Sequence, residues 1–186
     1  MKEDMYRHEA IKLLRLQKHD MVNYLQVILG YIQLNKGNEA QKHIKQAMYE
    51  LQHKGSILRI AYPKLVISLM SQADKVFRLG IPLSIACKND LKNIHVDEEL
   101  LTELLEKIWD EIIASQLRYP PGERHIDFMV DDDGSFVFSA VKIKTYIKTG
   151  DLNELNILFS KAGYELVLSD EKLIIRNIIN RVNTPI

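Results

Sequence analysis

The first 34 residues carry one long amphipathic helix pattern, which constrains the fold more than any other feature of the chain. A helix turns about 100° per residue, so residues seven or eleven apart return to nearly the same face. One stripe of this helix holds no large apolar side chain and consists of His8, Lys12, Arg15, His19, Asn23, Gln26, Gly30 and Gln33. Because His19 lies on a polar face, it is a candidate reagent and not a packing residue.

The opposite stripe is a heptad-like apolar series that is interrupted only by Lys18. Its members are Ile11, Leu14, Lys18, Met21, Leu25, Ile28 and Ile32. A narrow seam of this kind is typical of coiled-coil contacts. We expect the helix to run from about Asp4 to Leu34 and to end at Asn35-Lys36-Gly37, which suits a helix stop.

A second helix is predicted to follow, capped by Asn38 with Gln41 three positions on. Its apolar seam contains Ala40, Ile44, Ala47, Leu51, Leu58 and Ala61. A hairpin of two such helices leaves half of each seam uncovered. We predict that a second copy covers it, which gives a homodimeric four-helix bundle. The alternative is that the rest of the same chain packs there.

The pattern changes at Tyr62-Pro63, which predicts a helical hairpin over residues 1–62 and a second domain over 63–186. The second domain shows helix signals over 63–79, 97–117 and 152–161, the last one capped by Asp151. Strand signals cover 81–87, 126–130, 136–141, 164–168 and 172–178, with a tight turn at Asp133-Gly134. This order predicts an α+β fold with helices on one face of a mixed sheet.

Composition excludes several classes of protein. The chain has 25 basic and 25 acidic residues, so it has no global basic field for nucleic acid. Residues 1–60 carry a surplus of four positive charges, which would attract an acidic surface weakly. No apolar run reaches the roughly 20 residues that span a bilayer, so we expect a cytoplasmic protein without a membrane partner. The single cysteine, Cys87, is predicted to occupy a buried strand position without chemistry.

The helix around His19 resembles the phosphoacceptor helix of the sporulation initiation phosphotransferase B family, and more distantly that of citrate/fumarate-type sensor histidine kinases. The matching positions are Arg15, His19, Asp20, Asn23, Leu25, Gln26, Ile28 and Gly30. The layout of the chain, a helical hairpin followed by an α+β unit, is similar as well.

This resemblance implies a phosphorelay enzyme. His19 would accept a phosphoryl group from the aspartyl-phosphate of one receiver protein and pass it to the aspartate of a second response regulator in sporulation initiation. The family's dimer is built from paired hairpins, in agreement with the seam. Its second unit resembles a degenerate histidine kinase ATPase domain that binds no nucleotide.

Phosphoryl transfer requires alignment and charge neutralisation, and the neighbours of His19 fit these tasks. Arg15, and also Lys18, would offer cationic donors to the phosphoryl group. Asp20 would orient the ring or pair with a lysine. The remaining candidates would contact the receiver: Asn23 and Gln26 by hydrogen bonds, and Gly30 by close backbone approach. The roles of Tyr24 and Tyr31 stay open between packing and partner contact.

We predict that the chain binds no metal or other cofactor, because Mg²⁺ would sit on the acidic cluster of the receiver. The helix Leu104–Ile113 lacks the asparagine that a kinase needs for Mg²⁺ and ATP, and the sequence holds no Gly-x-Gly. Two alternatives to the phosphotransferase stay open. One is an atypical ATP-dependent sensor histidine kinase fragment, and the other is a non-enzymatic helical dimer that sequesters a response regulator.

Overall fold

The computed structural model describes residues 2–143, 149–169 and 171–178. The chain divides into two compact units, Met1–Gly55 and Ser56–Ile186. This division falls before the predicted boundary at residue 62, because Ile57 and Ile60 are buried in the core of the second unit. The first unit is helical and the second contains a five-stranded mixed sheet, so the predicted α+β class is confirmed.

The first unit consists of helix α1, Lys2–Gln33, and helix α2, which begins at Gly37 and continues to Ile57. The connection between them follows a known helix-ending motif. Asn35 adopts a left-handed φ of 56°, its N–H donates to the carbonyl of Ile32, and the N–H of Lys36 donates to the carbonyl of Tyr31. This pair of bonds is the Schellman arrangement, in which asparagine replaces the more common glycine. The chain therefore reverses within three residues.

Helix α2 begins earlier than its capping pattern indicates. The carbonyl of Lys36 already accepts the N–H of Ala40 at 3.1 Å, so Asn38 lies inside the helix. The prediction that Asn38 caps this helix is therefore wrong. The Schellman turn leaves Lys36 ready to start the next helix, without a side-chain cap.

The two helices contact each other through a different face of α1 from the heptad-like series. Leu13 is 9 % exposed, and the ring of Tyr31 packs 5.5 Å from that of His43 on α2. Ala40 and Ala47 are buried on α2. By contrast, Leu14, Leu25 and Ile32 of the heptad-like series keep 57–65 % of their surface. Apart from Ile28, which is half-buried, the apolar residues of the series therefore stay exposed within one hairpin.

The second unit alternates helices and strands. Its helices are α3, Pro63–Arg78; α4, Glu98–Gln116; and α5, Thr149–Lys161, with a short 3₁₀ turn at Pro121–Glu123. Its strands are β1, Leu83–Cys87; β2, Ile126–Val130; β3, Phe136–Ala140; β4, Tyr164–Leu168; and β5, Lys172–Asn177. The strand order is β1-β2-β3-β5-β4, and only the β1–β2 pair is parallel, which α4 permits by crossing over between them.

Alternation along the strands places one face of the sheet in the core. Phe128, Phe136 and Phe138 are fully buried, whereas Asp127 and Met129, the intervening residues of β2, are not. The indole of Trp109 on α4 packs at 5.3 Å from Phe128 and at 5.0 Å from Phe138. These aromatic contacts fix α4 on the buried face of the sheet.

Polar contacts join α3 to α4 outside this core. The carboxylate of Asp97 caps α4 by accepting the N–H of Leu100 at 3.0 Å. In the next residue, Glu98 accepts the N–H of Lys64 at 2.7 Å and so caps α3 from another helix. An ion pair between Lys75 and Asp110, at 2.6 Å, adds a further contact. Exposed pairs of this kind orient the helices more than they stabilise them.

Of two sequence predictions about the second unit, one turn and one helix cap, the first is confirmed and the second is wrong. The Asp-Gly turn between β2 and β3 is confirmed: Gly134 has φ 78° and donates its N–H to the carbonyl of Asp131. The predicted cap at Asp151 is wrong, because α5 already begins at Thr149 and Asp151 lies within it.

Over the described ranges, no helix has both the length and the apolar content needed to cross a bilayer.

Candidate functional site

His19 lies in the middle of α1, and its side chain is 70 % exposed. A helical position of this kind is rigid because the backbone hydrogen bonds on both sides are complete. The imidazole is therefore held on an ordered element and is open to a macromolecular partner. This combination suits a group that must meet another protein's reactive atom.

The polar contacts of the imidazole converge on a single ring nitrogen. Nδ1 lies 3.2 Å from Nδ2 of Asn23, one turn further along the helix, and 3.6 Å from Oδ1 of Asp20. No polar group of the described residues contacts Nε2. The nitrogen that points away from these two neighbours is therefore the one that an incoming group would meet.

Asp20 occupies the boundary between the polar stripe and the face that carries Leu13. Its side chain is 36 % exposed, about half the exposure of the adjacent imidazole. Seven-residue spacing places Leu13 and Asp20 on one face, and Tyr24 and Tyr31 beside it. The sequence analysis missed this face because the aspartate interrupts its apolar pattern.

The other predicted site residues lie on α1 between one turn before and three turns after the histidine, and none makes a polar contact with its ring. Arg15, Lys18 and Gln26 are exposed, and neither cation has an ion-pair partner among the described residues. Gly30 is half-buried, and a methyl group added to it would meet nothing within 4 Å. The structure thus brings only Asp20 and Asn23 to the ring, and it leaves the two cations and Gln26 available to a partner.

The structure also separates the two tyrosines from the polar stripe. Both Tyr24 and Tyr31 are half-buried, and Tyr31 packs against His43 of α2. This contact assigns Tyr31 to packing between the helices of the hairpin. Tyr24 lies on the same side of α1, seven residues earlier.

A second nucleophile, Cys87, lies in the other unit at the end of β1. It is buried, as predicted, and burial raises the pKa of its thiol, with smaller opposing effects from Ser56 and Arg59. Since the thiolate is the reactive form, this cysteine is a poor nucleophile. The exposed imidazole of His19 is the better candidate for group transfer.

A comparison with protein families finds a match over the two helices of the first unit. Residues 1–60 match the family model described as "Sensor_kinase_SpoOB-type, alpha-helical domain". This match supports the resemblance to the sporulation phosphotransferase B family. It covers the helices that carry His19 and its neighbours, and it indicates a protein related to two-component signalling and phosphorelays. No curated protein matches the chain.

Proposed function

We propose that this protein is a phosphorelay phosphotransferase in sporulation initiation, with His19 as the phosphoacceptor. The observation that carries the proposal is the exposed imidazole on a SpoOB-type helix, with Nδ1 engaged and Nε2 open. Neutral imidazole is a nucleophile near pH 7 without a strong base, because its unperturbed pKa is about 6.5. The reaction therefore needs no catalytic triad.

In the first transfer, Nε2 of His19 attacks the phosphorus of an aspartyl-phosphate on a receiver protein. The P–Nε2 bond forms as the P–O bond to the aspartate breaks, and the aspartate leaves as a carboxylate. The Nδ1 proton stays on the ring. The second transfer is the reverse process with the aspartate of another response regulator, so the enzyme is regenerated and no nucleotide is consumed.

Two cations close to His19 in the sequence, Arg15 on the polar stripe and Lys18 beside the histidine, support this assignment. Arg15 and Lys18 are exposed near the histidine, and charge on the moving phosphoryl group is spread over its oxygens in a loose transition state. Cationic donors on one side and receiver-bound Mg²⁺ on the other would neutralise that charge. Gln26 and Gly30, two and three turns further on, would contact loops of the receiver.

We propose in addition that the protein works as a homodimer through its helical hairpin. The exposed apolar residues of α1 include Ile11, Leu14, Met21, Leu25 and Ile32, and α2 exposes Ile44, Met48 and Leu51. An uncovered apolar band of this length is unusual in a soluble protein. Two copies of the hairpin would bury these bands against each other, while the polar stripe around His19 would stay outside.

The second unit gives no support to the alternative of an ATP-dependent kinase. Its α4 directs Leu104, Leu105, Ile108, Trp109 and Ile112 into the core, and this helix contains no asparagine between residues 104 and 113. Binding of ATP to the purified protein, measured by calorimetry in the presence of Mg²⁺, would restore that alternative.

Transfer of radioactive phosphate from receiver proteins tests the main proposal. Receivers encoded in the same genome are loaded with acetyl phosphate, freed of the donor and mixed with the purified protein. We expect at least one receiver to transfer label that is stable to base and labile to acid, as a phosphoimidazole is. We expect His19→Gln to abolish this label while leaving the helical content unchanged.

The matched control is His8→Gln, which alters another exposed histidine of the same stripe. It should retain the full label. Receiver binding without any transfer would favour the sequestering dimer, and label that survives in His19→Gln would show that another residue is the acceptor.

A further inference from the structure

The contacts of the His19 ring favour one of its two neutral proton forms. A neutral imidazole carries one proton, either on Nδ1 or on Nε2, and the nitrogen without the proton is the nucleophile. The NH₂ group of Asn23 is a donor, and it lies 3.2 Å from Nδ1. A ring that accepts this bond at Nδ1 holds its own proton on Nε2.

This arrangement opposes the chemistry proposed above. Attack by Nε2 requires a free electron pair there, and so the proton must be on Nδ1. Asp20 is the residue positioned to favour that form, because its carboxylate can only accept and lies 3.6 Å from the same nitrogen. Asn23 and Asp20 therefore stabilise opposite tautomers of one ring.

We propose that Asn23 is a positioning residue that keeps His19 in its unreactive tautomer until a receiver engages the Asn23 amide. When the receiver takes over this amide, Nδ1 is free to carry the proton, Asp20 accepts a hydrogen bond from it, and Nε2 becomes the nucleophile. The exposed histidine thereby reacts more slowly with small phosphate donors, by up to about threefold, and a docked partner removes this restraint. This inference rests on the proposed function of His19, but its first test does not require transfer.

Accessibility supports a switch that a partner operates. Asn23 is exposed on the polar stripe, so a docking protein can reach its amide directly. Asp20 is half-buried on the adjacent face, so docking leaves it in place beside the ring. The two contacts thus reach the same ring nitrogen from residues that differ in exposure.

Nitrogen-15 NMR of the imidazole measures the tautomer directly. Spectra are recorded for the full-length protein above the titration range of the ring, so that only neutral forms are present. We expect wild type to be mainly protonated on Nε2. In Asn23→Leu the donor is lost, and the ratio of the Nδ1–H to the Nε2–H form should rise about threefold, which is the order of one exposed hydrogen bond. Asn23→Asp should raise the ratio further, because its carboxylate only accepts.

Two further variants make the readout specific. The double variant Asn23→Leu/Asp20→Asn should lose much of the rise, because the acceptor for Nδ1–H has also been weakened. Gln33→Leu, on the same polar stripe but remote from the ring, should leave the ratio as in wild type. Circular dichroism checks that each variant keeps its helical content.

Phosphoramidate, a small phosphate donor, provides the functional readout. We expect it to label His19 of Asn23→Leu up to about three times as fast as wild type, in proportion to the population of the Nδ1–H form. Transfer from a phosphorylated receiver should not gain from this substitution, because docking already releases the amide. Because phosphoramidate can also reach other exposed histidines such as His8, the label is assigned by peptide mapping, and His19→Gln should take no label from a receiver.

The proposal is overturned if Asn23→Leu and Asn23→Asp leave the tautomer ratio unchanged, or if wild type is already protonated mainly on Nδ1. Either result would leave the phosphotransferase itself intact as long as receivers label His19. Conversely, absence of transfer from every receiver would remove the phosphotransferase proposal, whereas the NMR ratios would still decide whether Asn23 controls the ring.

Discussion

The two units of this protein differ in how much of their large apolar side chains they expose. Ser56–Ile186 encloses its large side chains, with Trp109, Phe128, Phe138 and Tyr164 all at 1 % exposure or less. Met1–Gly55 leaves most of its large apolar residues exposed, and even the buried Leu13 keeps 9 % of its surface exposed. The described part of the second unit forms a closed core, whereas the first unit has a surface suited to association. This difference supports placing the proposed phosphotransfer in the first unit.

The largest expected effect tests whether the exposed apolar band joins two copies. Leu25→Glu places a charge in the centre of the band, and a symmetric dimer carries the change twice. The loss of two buried leucines is about 3–6 kcal/mol, which weakens the dimer by about 100-fold or more. Light scattering after size-exclusion chromatography measures the mass. Gln33→Glu, on the polar stripe, should stay dimeric. A monomeric wild type would contradict the proposal that the exposed apolar band of the first unit joins two copies.

The core of the second unit should show the next largest effect. Trp109→Ala removes the indole that joins α4 to the phenylalanines of the sheet, which should lower the free energy of unfolding by about 3–5 kcal/mol. Urea titration followed by circular dichroism measures it, since Trp109 is the only tryptophan. Ile157→Ala, at a 62 % exposed position of α5, should change stability by less than about 0.5 kcal/mol. Equal losses in both variants would argue against a closed core.

Alanine substitutions at one glycine of each unit test the same difference between a closed core and an open surface. Alanine at Gly134 would place Cβ 2.0 Å from Cδ1 of Ile94 and would adopt φ 78°, so we expect a loss of about 1–3 kcal/mol. Alanine at Gly30 meets nothing within 4 Å and should stabilise α1 by about 0.5–1 kcal/mol. Thermal unfolding shows whether the first substitution lowers the stability and the second raises it. If Gly30 admits a receiver backbone, Gly30→Ala will also slow phosphate transfer although the fold is more stable.

The smallest effect concerns a surface ion pair of the second unit. Lys88 lies 2.9 Å from Asp131 and lowers the pKa of that carboxyl group. A lowered folded-state pKa contributes stability above the unfolded value of about 3.9, and this stability is lost as the pH falls through the folded-state pKa. Lys88→Met should therefore be slightly less stable than wild type at neutral pH, with the difference vanishing in acid. Lys92→Met is the control, and a difference that persists in acid would contradict the assignment.

Local signals predicted most of the second unit. Glycines and Asp-Gly mark its turns, alternation marks its strands, and the predicted β4 has the observed ends at Tyr164 and Leu168. The errors fall at helix starts, where Asn38 and Asp151 offer good caps but lie inside their helices. Before α2, the turn at Asn35 bonds the N–H of Lys36 to the carbonyl of Tyr31, so the chain enters the helix directly from this turn.

The site was predictable in part. Helical spacing places Asn23 one turn after His19, and the family pattern singles out the histidine. The contact of both Asn23 and Asp20 with one ring nitrogen depends on side-chain rotamers, which spacing does not specify. The face of Leu13 was hidden because a half-buried aspartate sits within it, and the more regular heptad-like series drew the interpretation toward the exposed side.

The most direct test of the central claim is to map the phosphate after transfer from a labelled receiver. Mass spectrometry of peptides prepared at neutral to alkaline pH locates it, and phosphorus NMR identifies the ring nitrogen. The account predicts one phosphoryl group per chain, on Nε2 of His19 and transferable to a second receiver. Phosphate found on any other residue, or no phosphate from any receiver of the same genome, would contradict it.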